Sequence, residues 1–384
     1  MTRSSGTSEG PDLLNQSHRD FASAATEGLQ GARIECRISE PFAHWLSQLP
    51  GSLAVTTYQA GKLALLGWNG QQPSLLMRQF DKPMGLAVAP GKLALATRHE
   101  ITLFANAPLL ARDFVPEQRG RYESLYLPRA TYHTGDLNVH DVAFGTDGLW
   151  FVNSRFSCLS ALSKDFSFVP RWQPPFVSQL VPEDRCHLNG LSIVDGQPKY
   201  VTALGETDTV GGWRANKATG GVLLDVATGT TLLRGLSMPH SPRWHNGKLW
   251  LLNSGAGELL CFDPVRGAAD VVCSLPAYLR GLCLVGNFAI VGLCQIRERH
   301  IFGGLPVQQR HSSLLSGVAA IDLTTGRLIG VFEFTAGCTE LYDVQFIAGS
   351  TRVNVLNLAD DSTRQAFTAP QFSYWLRPEN LIAD

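Results

Sequence analysis

The chain has 384 residues, 44% of them hydrophobic, so it is long enough to bury a large core and is neither disordered nor fibrous in composition. Its 32 Lys and Arg residues balance 33 Asp and Glu residues, which argues against a dominant nucleic-acid or polybasic membrane surface. No apolar run approaches the roughly 18 residues that a membrane-spanning helix needs.

The first segment, residues 1–33, is polar and lacks the apolar core of a secretory signal, so it is predicted to be a flexible tail. The eight cysteines are scattered without a CxxC pair, and most lie in apolar runs such as ELLCFDP, DVVCSLP and RGLCLVG. With no export signal, we expect free, buried thiols in a reducing compartment and therefore a cytoplasmic protein.

One short helix is predicted over SEPFAHWLSQL, where Ser39 is a suitable N-cap and Pro41 lies in the first turn. The rest of the chain consists of short strand-like runs separated by Gly, Pro, Asn and Asp. Some runs begin a recurring unit of a strand, a tight turn, a second strand and a polar turn. These units begin at Pro83, Val139, His187, Ser241, Arg280 and Leu341. A period of roughly 40 to 60 residues with several strands per unit is typical of a β-propeller.

We therefore predict an all-β, six-bladed β-propeller over residues 34–370, followed by a C-terminal tail over residues 371–384. The segment SLAVTTYQAGKLALLGW precedes the first unit and has strands without an innermost partner. We expect strands from the C-terminal region to supply that partner, so that the two ends of the chain close the ring and leave no open sheet edge. Seven blades, with this segment as an independent blade, are the alternative.

Two of the units, HLNGLSIVDG and SPRWHNGKLWLLNSGAGELLCFDP, resemble blades of NHL-type and gluconolactonase-type six-bladed propellers. The region from about Ile34 to Asp361 also resembles a bacterial family of conserved hypothetical proteins with a domain of unknown function, which implies no activity. Resemblance to gluconolactonase-type enzymes implies a divalent cation held by a Glu, two Asn and an Asp, of which only Asn189 is matched. NHL-type peptidyl-amide lyases, similar in a different way, imply three His around zinc with a Tyr and an Arg nearby.

Propeller topology brings the starts of the inner strands together around the central channel, although they are far apart in sequence. In three neighbouring blades this start carries a histidine, namely His140, His187 and His240. Three neutral imidazoles are the ligand set of a catalytic transition-metal site that keeps positions open for water or substrate. We therefore predict a metal site with these three ligands, holding Zn, Fe or Cu, which this ligand set does not distinguish.

The other inner-strand starts carry Met84, Arg280 and Tyr342 with Asp343. We predict that Arg280 orients the substrate and that Tyr342 or Asp343 acts as the general acid or base. The turns between second and third strands should surround the same mouth. The predicted substrate-binding residues, most of them on these turns, are Tyr58, His99, Arg155, Glu206, Arg243 and Arg297. The cations among them favour an anionic or carboxylate-bearing substrate.

Three other residues, Asp141, His133 and Cys186, lie close in sequence to these histidines and are interpreted separately. Asp141 is expected to accept a hydrogen bond from an imidazole N–H. His133, on the loop before His140, is a candidate fourth ligand or gate, although an exposed loop histidine is the simpler interpretation. Cys186 precedes His187, and because neighbouring strand residues point to opposite faces we interpret it as a buried thiol rather than a nucleophile. All these assignments depend on the register of the strands, since a one-residue shift turns a side chain from the channel into the blade.

Three functions fit these residues. The first is a metal-dependent enzyme that acts on a small or peptidic substrate as a lyase, hydrolase or oxidoreductase. The second is a non-catalytic propeller that binds a peptide or protein partner at the same mouth. The third is a gluconolactonase-like hydrolase with an oxygen-ligated divalent cation. We expect neither a nucleic-acid nor a membrane partner, and the sequence leaves the oligomeric state open.

Overall fold

The computed structural model describes residues 18–21, 33–296 and 303–377. Within these ranges six sheets stand around a central channel, which confirms the all-β, six-bladed β-propeller and excludes the seven-bladed alternative. In the same ranges, no helix combines the length and apolar character needed to cross a bilayer.

The strands of the described chain are short and follow one another closely. In the N-terminal half they are β1 (His18–Phe21), β2 (Glu35–Ser39), β3 (Gly51–Thr57), β4 (Lys62–Trp68), β5 (Pro73–Gln79), β6 (Leu86–Ala89), β7 (Lys92–Ala96), β8 (Glu100–Asn106), β9 (Ser124–His133), β10 (Val139–Gly145), β11 (Gly148–Asn153), β12 (Cys158–Ala161), β13 (Val169–Trp172) and β14 (Leu188–Val194). In the C-terminal half they are β15 (Gln197–Ala203), β16 (Gly221–Asp225), β17 (Thr231–Leu236), β18 (Pro239–His245), β19 (Lys248–Asn253), β20 (Glu258–Asp263), β21 (Ala268–Ser274), β22 (Tyr278–Val285), β23 (Phe288–Cys294), β24 (Gly317–Asp322), β25 (Leu328–Ala336), β26 (Val344–Ala348), β27 (Val353–Val355), β28 (Ala366–Ala369) and β29 (Phe372–Trp375).

The helical elements within the described ranges are short. They are α1 (Glu40–Gln48), α2 (Pro108–Arg112), α3 (Pro306–Arg310) and α4 (Asp361–Arg364), with 3-10 turns at Pro116–Gln118, Gly212–Asn216 and Ser254–Ala256.

Each large sheet is one blade, and the innermost strands β6, β10, β14, β18, β22 and β26 contact one another in that order, with β26 next to β6. Three blades use one continuous stretch of chain each, namely β10–β13, β14–β17 and β18–β21. The blade of β6–β9 gains β27 at its outer edge, parallel to β9. The blade of β22–β25 gains β2 and β1 at its outer edge. The outer additions protect strand edges that would otherwise be open to pairing with other chains.

The ring closes by pairing the two ends of the chain, as the sequence predicts. Strand β26 is the innermost strand of the blade that contains β3, β4 and β5, with Val344 opposite Val55 and Ala348 opposite Gly51. A Cβ on Gly51 would lie 2.3 Å from the carbonyl oxygen of Ile347, so this close approach of the two strands requires glycine. The closure therefore depends on contacts made early and late in the sequence.

Apolar side chains pack between successive blades rather than in one central core. In one such layer Leu188 and Leu191 of β14 pack with Val152 of β11 and Leu159 of β12. Strand β3 is buried along its whole length because neighbouring blades cover both faces of its sheet. Burying a Leu or Val side chain contributes about 1.5–3 kcal/mol, so each interface between blades is a substantial source of stability.

Helix α1 is the predicted N-terminal helix, and Ser39 is its N-cap residue. The Ser39 side chain makes no capping hydrogen bond, because its Oγ accepts instead from the backbone N–H of Val331, 3.0 Å away in β25. Phe42, Trp45 and Leu46 of α1 are buried. The helix packs against β2, β4, β5 and β25.

Candidate functional site

A cavity of about 320 Å³ lies where the inner strands begin. It is lined near the start of each inner strand by Met84, His140, His187, His240, Arg280 and Tyr342. The rest of its wall comes from Tyr58, Lys82, Asn138, Asp184, Leu204, Trp213, Arg214 and Met238. The structure therefore brings together the six inner-strand starts that the blade repeat predicts should converge.

His187 does not occupy the same position in its blade as His140 and His240. Asn138 lies two residues before His140 and has a positive φ of 54°, and Met238 lies two residues before His240 and has a φ of 48°. His187 itself has a φ of 50°. By backbone conformation His187 therefore corresponds to Asn138 and Met238. The prediction that the three histidines occupy equivalent positions holds for His140 and His240. It fails for His187, which reaches the cavity from the turn before its strand.

Positive φ is concentrated at this cavity in residues other than glycine. The lining residues with this conformation are Lys82, Asn138, Asp184, His187 and Met238, with φ between 48° and 54°. A side chain held in the left-handed region costs roughly 1–3 kcal/mol, and such strain is found mainly at functional sites. The strained backbone conformation of these residues thus indicates a functional site at the cavity.

His140 and His240 are held by the same two contacts in their blades. Each Nδ1 lies against the carbonyl oxygen two residues earlier, at 2.7 Å for His140 and 2.9 Å for His240. Each Nδ1 also lies near a serine Oγ from the end of the second strand, at 2.7 Å for Ser154 and 3.0 Å for Ser254. Because a carbonyl oxygen only accepts, Nδ1 carries the proton and Nε2 keeps its lone pair.

Both of these imidazoles are neutral. Burial lowers the pKa of His140 well below its usual value, and the nearby His187 and the Arg280 cation lower it further. Burial and the Arg280 cation likewise lower the pKa of His240. Two neutral rings in one cavity are suited to bind a cation or to accept a proton through Nε2.

Asp184 holds His187 in place. The carboxylate oxygens of Asp184 accept from His187 Nδ1 at 2.8 and 2.9 Å, and from Trp213 Nε1 at 3.1 Å. The Trp213 ring lies 4.5 Å from the His187 ring, and the guanidinium of Arg214 lies 4.5 Å above the Trp213 ring. The loop that carries Trp213 and Arg214 therefore covers His187 and keeps the Asp184–His187 pair rigid.

His140 and His187 meet through their Nε2 atoms. These atoms are 3.0 Å apart, with the two rings nearly perpendicular at 86°. Both Nδ1 atoms already donate to oxygen, so each Nε2 atom has a lone pair, and the two lone pairs repel each other. A positive centre between the Nε2 atoms, either a proton on one ring or a metal ion, removes this repulsion. Two imidazole nitrogens on a tetrahedral zinc are about 3.3 Å apart, given Zn–N bonds of about 2.0–2.1 Å. The separation of the two nitrogens is therefore a few tenths of an ångström shorter than in a zinc site.

The third predicted ligand lies on the same wall but outside this contact. The His240 ring is nearly perpendicular to the ring of Tyr278, with centroids 5.6 Å apart. Among the residues that the structure describes, no three or more His, Cys, Asp or Glu side chains are placed together as a metal-binding group. The structure thus joins two of the three predicted ligands directly and keeps the third one separate.

Arg280 supplies a buried positive charge to the cavity. Its side chain is only 7% exposed, and the guanidinium lies 5.5 Å from the ring centre of Tyr58 and 5.2 Å from those of Tyr278 and Tyr342. Burial raises the pKa of Tyr342 well above its usual value, so its hydroxyl stays protonated. That hydroxyl has no hydrogen-bond partner within the described chain, which leaves it able to donate to a ligand.

Arg243 and Asp343 do not line the cavity. Arg243 pairs with Asp141 at 2.8 Å and with Asp343 at 3.5 Å. Burial works against the charge of Arg243, but the two carboxylates raise its pKa overall. Asp141 and Asp343 also accept, each at 3.0 Å, from the backbone N–H of Leu191 and Leu86 in neighbouring blades. This network fastens blades together, so Asp141 is not the predicted acceptor for an imidazole.

Of the other predicted substrate-binding residues that the structure describes, only Tyr58 lines the cavity. His99 is exposed, and Arg155 and Glu206 form ion pairs with neighbouring side chains away from the cavity. Arg297 lies outside the described residues.

The remaining candidates have simpler roles. The His133 side chain is 84% exposed and does not reach the cavity. Asn189 is buried and donates to the carbonyl oxygen of Pro239 at 2.8 Å. All eight cysteines are free, as predicted, and burial raises the pKa of the Cys186 thiol to about 12, which makes it unreactive.

Sequence reasoning missed the two groups that orient the histidines. A signal existed for the serines, because the second strands of both blades end in Asn-Ser, at Asn153–Ser154 and Asn253–Ser254. No such repeat marks Asp184, which reaches His187 because its own backbone has a positive φ of 49°.

The buried acid next to Tyr58 predicts a pH effect on stability. The Tyr58 hydroxyl donates a hydrogen bond to the Glu340 carboxyl, and burial raises the pKa of Glu340 from 4.5 to about 7. The folded state therefore holds a proton that the unfolded chain releases, so the contribution of Glu340 to stability is greatest below pH 4.5 and falls as the pH rises to about 7. A Glu340→Gln variant should match the native protein near pH 5 and exceed its free energy of unfolding by about 1–3 kcal/mol at pH 8. Urea unfolding at both pH values measures this, and a difference that does not vary with pH would contradict it.

Comparison with known proteins identifies one family. The family described as "Domain of unknown function (DUF4915)" matches residues 40–356. Among solved structures, the chain is similar to one described as "Crystal structure of Nidogen/Laminin Complex", with a TM-score of 0.49 and 13% identity, covering 78% of this chain and 98% of that chain. No curated protein matches the chain.

Proposed function

Since the chain belongs to the DUF4915 family, whose description names no reaction, we propose its function from the cavity itself: a metal-dependent enzyme that acts on a small anionic substrate. In this proposal His140 and His187 hold a divalent transition metal, His240 is the third imidazole of the site, and Arg280 binds the negative group of the substrate. The observation that carries the proposal is the 3.0 Å contact between the two Nε2 atoms.

The charge of the cavity supports an anionic substrate. The described lining has three cationic side chains, Lys82, Arg214 and Arg280, and a single carboxylate, Asp184. That carboxylate is already engaged by His187. In a partly enclosed cavity an excess of one charge concentrates ligands of the opposite sign, so an anion is the expected occupant.

The way the histidines are held supports a metal. Each of the three donates Nδ1–H to an oxygen: a backbone carbonyl for His140 and His240, a carboxylate for His187. Metal-binding histidines are oriented by this kind of partner, which fixes the tautomer and turns Nε2 toward the ion. The site is therefore prepared for a cation at Nε2, with His140 and His187 as the preformed pair.

The chain's own groups then have defined tasks. A divalent metal at such a site polarises an oxygen of the substrate or activates a water. Arg280 orients the substrate through paired hydrogen bonds to a carboxylate. Tyr342 stays protonated because its pKa is raised, so it donates a hydrogen bond to the substrate and does not act as a base. Asp343 has no part in this scheme, because it lies outside the cavity lining.

Metal-free acid–base catalysis is the second candidate. The Asp184–His187 contact at 2.8 Å is the arrangement that orients a catalytic imidazole and stabilises its protonated form. A proton shared by His187 and His140 would then occupy the place of the metal.

Elemental analysis of protein purified without a tag or added metal separates these candidates. We expect close to one equivalent of Zn, Fe or Cu per chain. Calcium instead would favour the gluconolactonase-like alternative with oxygen ligands. Folded protein that contains no metal, and takes up none on dialysis against zinc or cobalt, would contradict the metal proposal and leave the acid–base enzyme or a non-catalytic binding module.

A further inference from the structure

We infer that the cavity binds a small dicarboxylate, with one carboxylate at Arg280 and the second at Lys82. The inference rests on the proposed function and deepens it in two ways. It names the substrate class, and it assigns to Lys82 the choice between a ligand with two negative groups and a ligand with one.

The mouth of the cavity has two halves with different chemistry. The blades of β10, β14 and β18 follow one another round the ring and carry the three histidines. The blades of β22, β26 and β6 complete the ring, and they carry Arg280, Tyr342 and, in the turn before β6, Lys82. A guanidinium, a phenol hydroxyl and an ammonium all donate hydrogen bonds. The second half is therefore suited to the negative groups of a ligand, and the first half to a metal.

Lys82 occupies the position in its blade that His187 occupies in another. The backbone N–H of Leu86, four residues after Lys82, donates to an aspartate of the preceding blade at 3.0 Å. The backbone N–H of Leu191, four residues after His187, makes the same contact at the same distance. Lys82 and His187 also share a positive φ, of 51° and 50°. The repeat thus places Lys82 to reach the cavity from the turn, as His187 does.

The backbone of Lys82 is strained for the sake of this position. Side chains other than glycine avoid positive φ, and Lys82 also precedes Pro83, which restricts it to extended conformations. Glycine would adopt a positive φ without this cost. A lysine kept in such a conformation at a cavity indicates that its side chain has a function there.

The charge of Lys82 has no carboxylate bound to it among the residues that the structure describes. Its Nζ lies 3.4 Å from Oδ1 of Asn138, its hydrogen-bond partner. The carboxylates that act on its charge are those of Asp81 and Asp136, and each already forms an ion pair with an arginine at 3.0 Å. Burial lowers the pKa of Lys82, because the half-buried ammonium has lost part of its water. A carboxylate in the cavity would replace that water as its partner.

Tyr342 lies on the blade between the two cations. Its side chain is only 5% exposed, and its hydroxyl has no hydrogen-bond partner within the described residues. A buried hydroxyl without a partner is costly unless a ligand supplies one. Because β26 separates β22 from β6, Arg280 and Lys82 suit two carboxylates of one ligand, which pass over Tyr342. The cavity volume of about 320 Å³ limits that ligand to a small molecule.

The test is calorimetric titration of the protein, as purified, with malonate, succinate and glutarate at pH 8. Propionate, butyrate and valerate have the same numbers of carbon atoms and one carboxylate each. We expect the best dicarboxylate to bind at least about tenfold more tightly than its monocarboxylate, which is the effect of one additional charged hydrogen bond.

Variants show whether Lys82 recognises the second carboxylate. Lys82→Met keeps much of the stem and should reduce the preference for the dicarboxylate to less than about twofold, while the monocarboxylate binds as before. Lys82→Arg keeps the charge and should keep part of the preference. Lys164→Met removes an exposed lysine outside the cavity lining and should behave like the native protein. A metal that chelates both carboxylates would favour the dicarboxylate in Lys82→Met as well, so this variant excludes that explanation.

The outcomes that overturn the inference differ from those that overturn the proposed function. Equal affinities for the two ligand classes in the native protein contradict the second carboxylate and leave an enzyme for a singly charged substrate. A preference that persists undiminished in Lys82→Met contradicts the role of Lys82. Binding of neither class contradicts the anionic substrate of the proposed function, and the inference with it.

Discussion

Replacing Arg243 with methionine is expected to lower the free energy of unfolding by about 3–5 kcal/mol, because it leaves two buried carboxyl groups without their counter-ion. Asp141 and Asp343 are each 3% exposed and each form an ion pair with Arg243. Methionine approximates the length of the arginine stem, so the loss reflects charge more than volume. Urea unfolding at pH 7 measures the effect.

Matched variants separate this network from an ordinary ion pair. Arg266 pairs with Asp270 at 2.7 Å at the surface, and Arg266→Met should leave the free energy of unfolding nearly unchanged. Adding Asp343→Asn to Arg243→Met should recover part of the loss, since one of the two buried carboxyl groups without a counter-ion is removed. The loss should also shrink in acid, where both carboxyls can be protonated. Equal unfolding midpoints for the native protein and Arg243→Met would show that the network does not stabilise the ring.

The blade repeat was predictable because its signals are local. Each inner hairpin has alternating apolar residues and a turn with Gly, Asn or Asp, and these residues act within a few positions of one another. The partner of β3 was predictable from closure, because an unpaired inner strand is unstable. The parallel pairing of Val353–Val355 with β9 was not, since three residues have no usable period and their partner is set by long-range packing.

The candidate site was predictable to the extent that it follows the repeat. His140 and His240 have equivalent positions, and the repeat finds both. His187 comes from a turn whose left-handed backbone no local pattern announces. Arg243 and Asp343 were assigned to the mouth because they are close in sequence to residues that do line it. Strand alternation instead turns them into contacts between blades, and these contacts become visible only in three dimensions.

His187→Ala is expected to weaken the affinity for a transition metal by at least about 100-fold, the largest effect we expect at the cavity. The substitution removes one of the two ligands that we propose, and loss of a residue that merely orients a ligand already costs about 10–100-fold. Competition between the protein and a chelator for zinc measures the affinity. His44→Ala, on the exposed side of α1, should leave it unchanged.

Asp184→Asn is a milder substitution that tests whether the metal affinity depends on the contact between Asp184 and His187. It preserves the shape of the side chain but removes the charge that faces His187 Nδ1 at 2.8 Å, so zinc affinity should fall by about 10–100-fold, less than in His187→Ala. That order follows from the contacts, because Asp184 acts on the metal only through the imidazole. Unchanged zinc affinity in His187→Ala would place the metal elsewhere and leave the His140–His187 contact to a shared proton. A larger loss in Asp184→Asn than in His187→Ala would make the carboxylate itself the ligand.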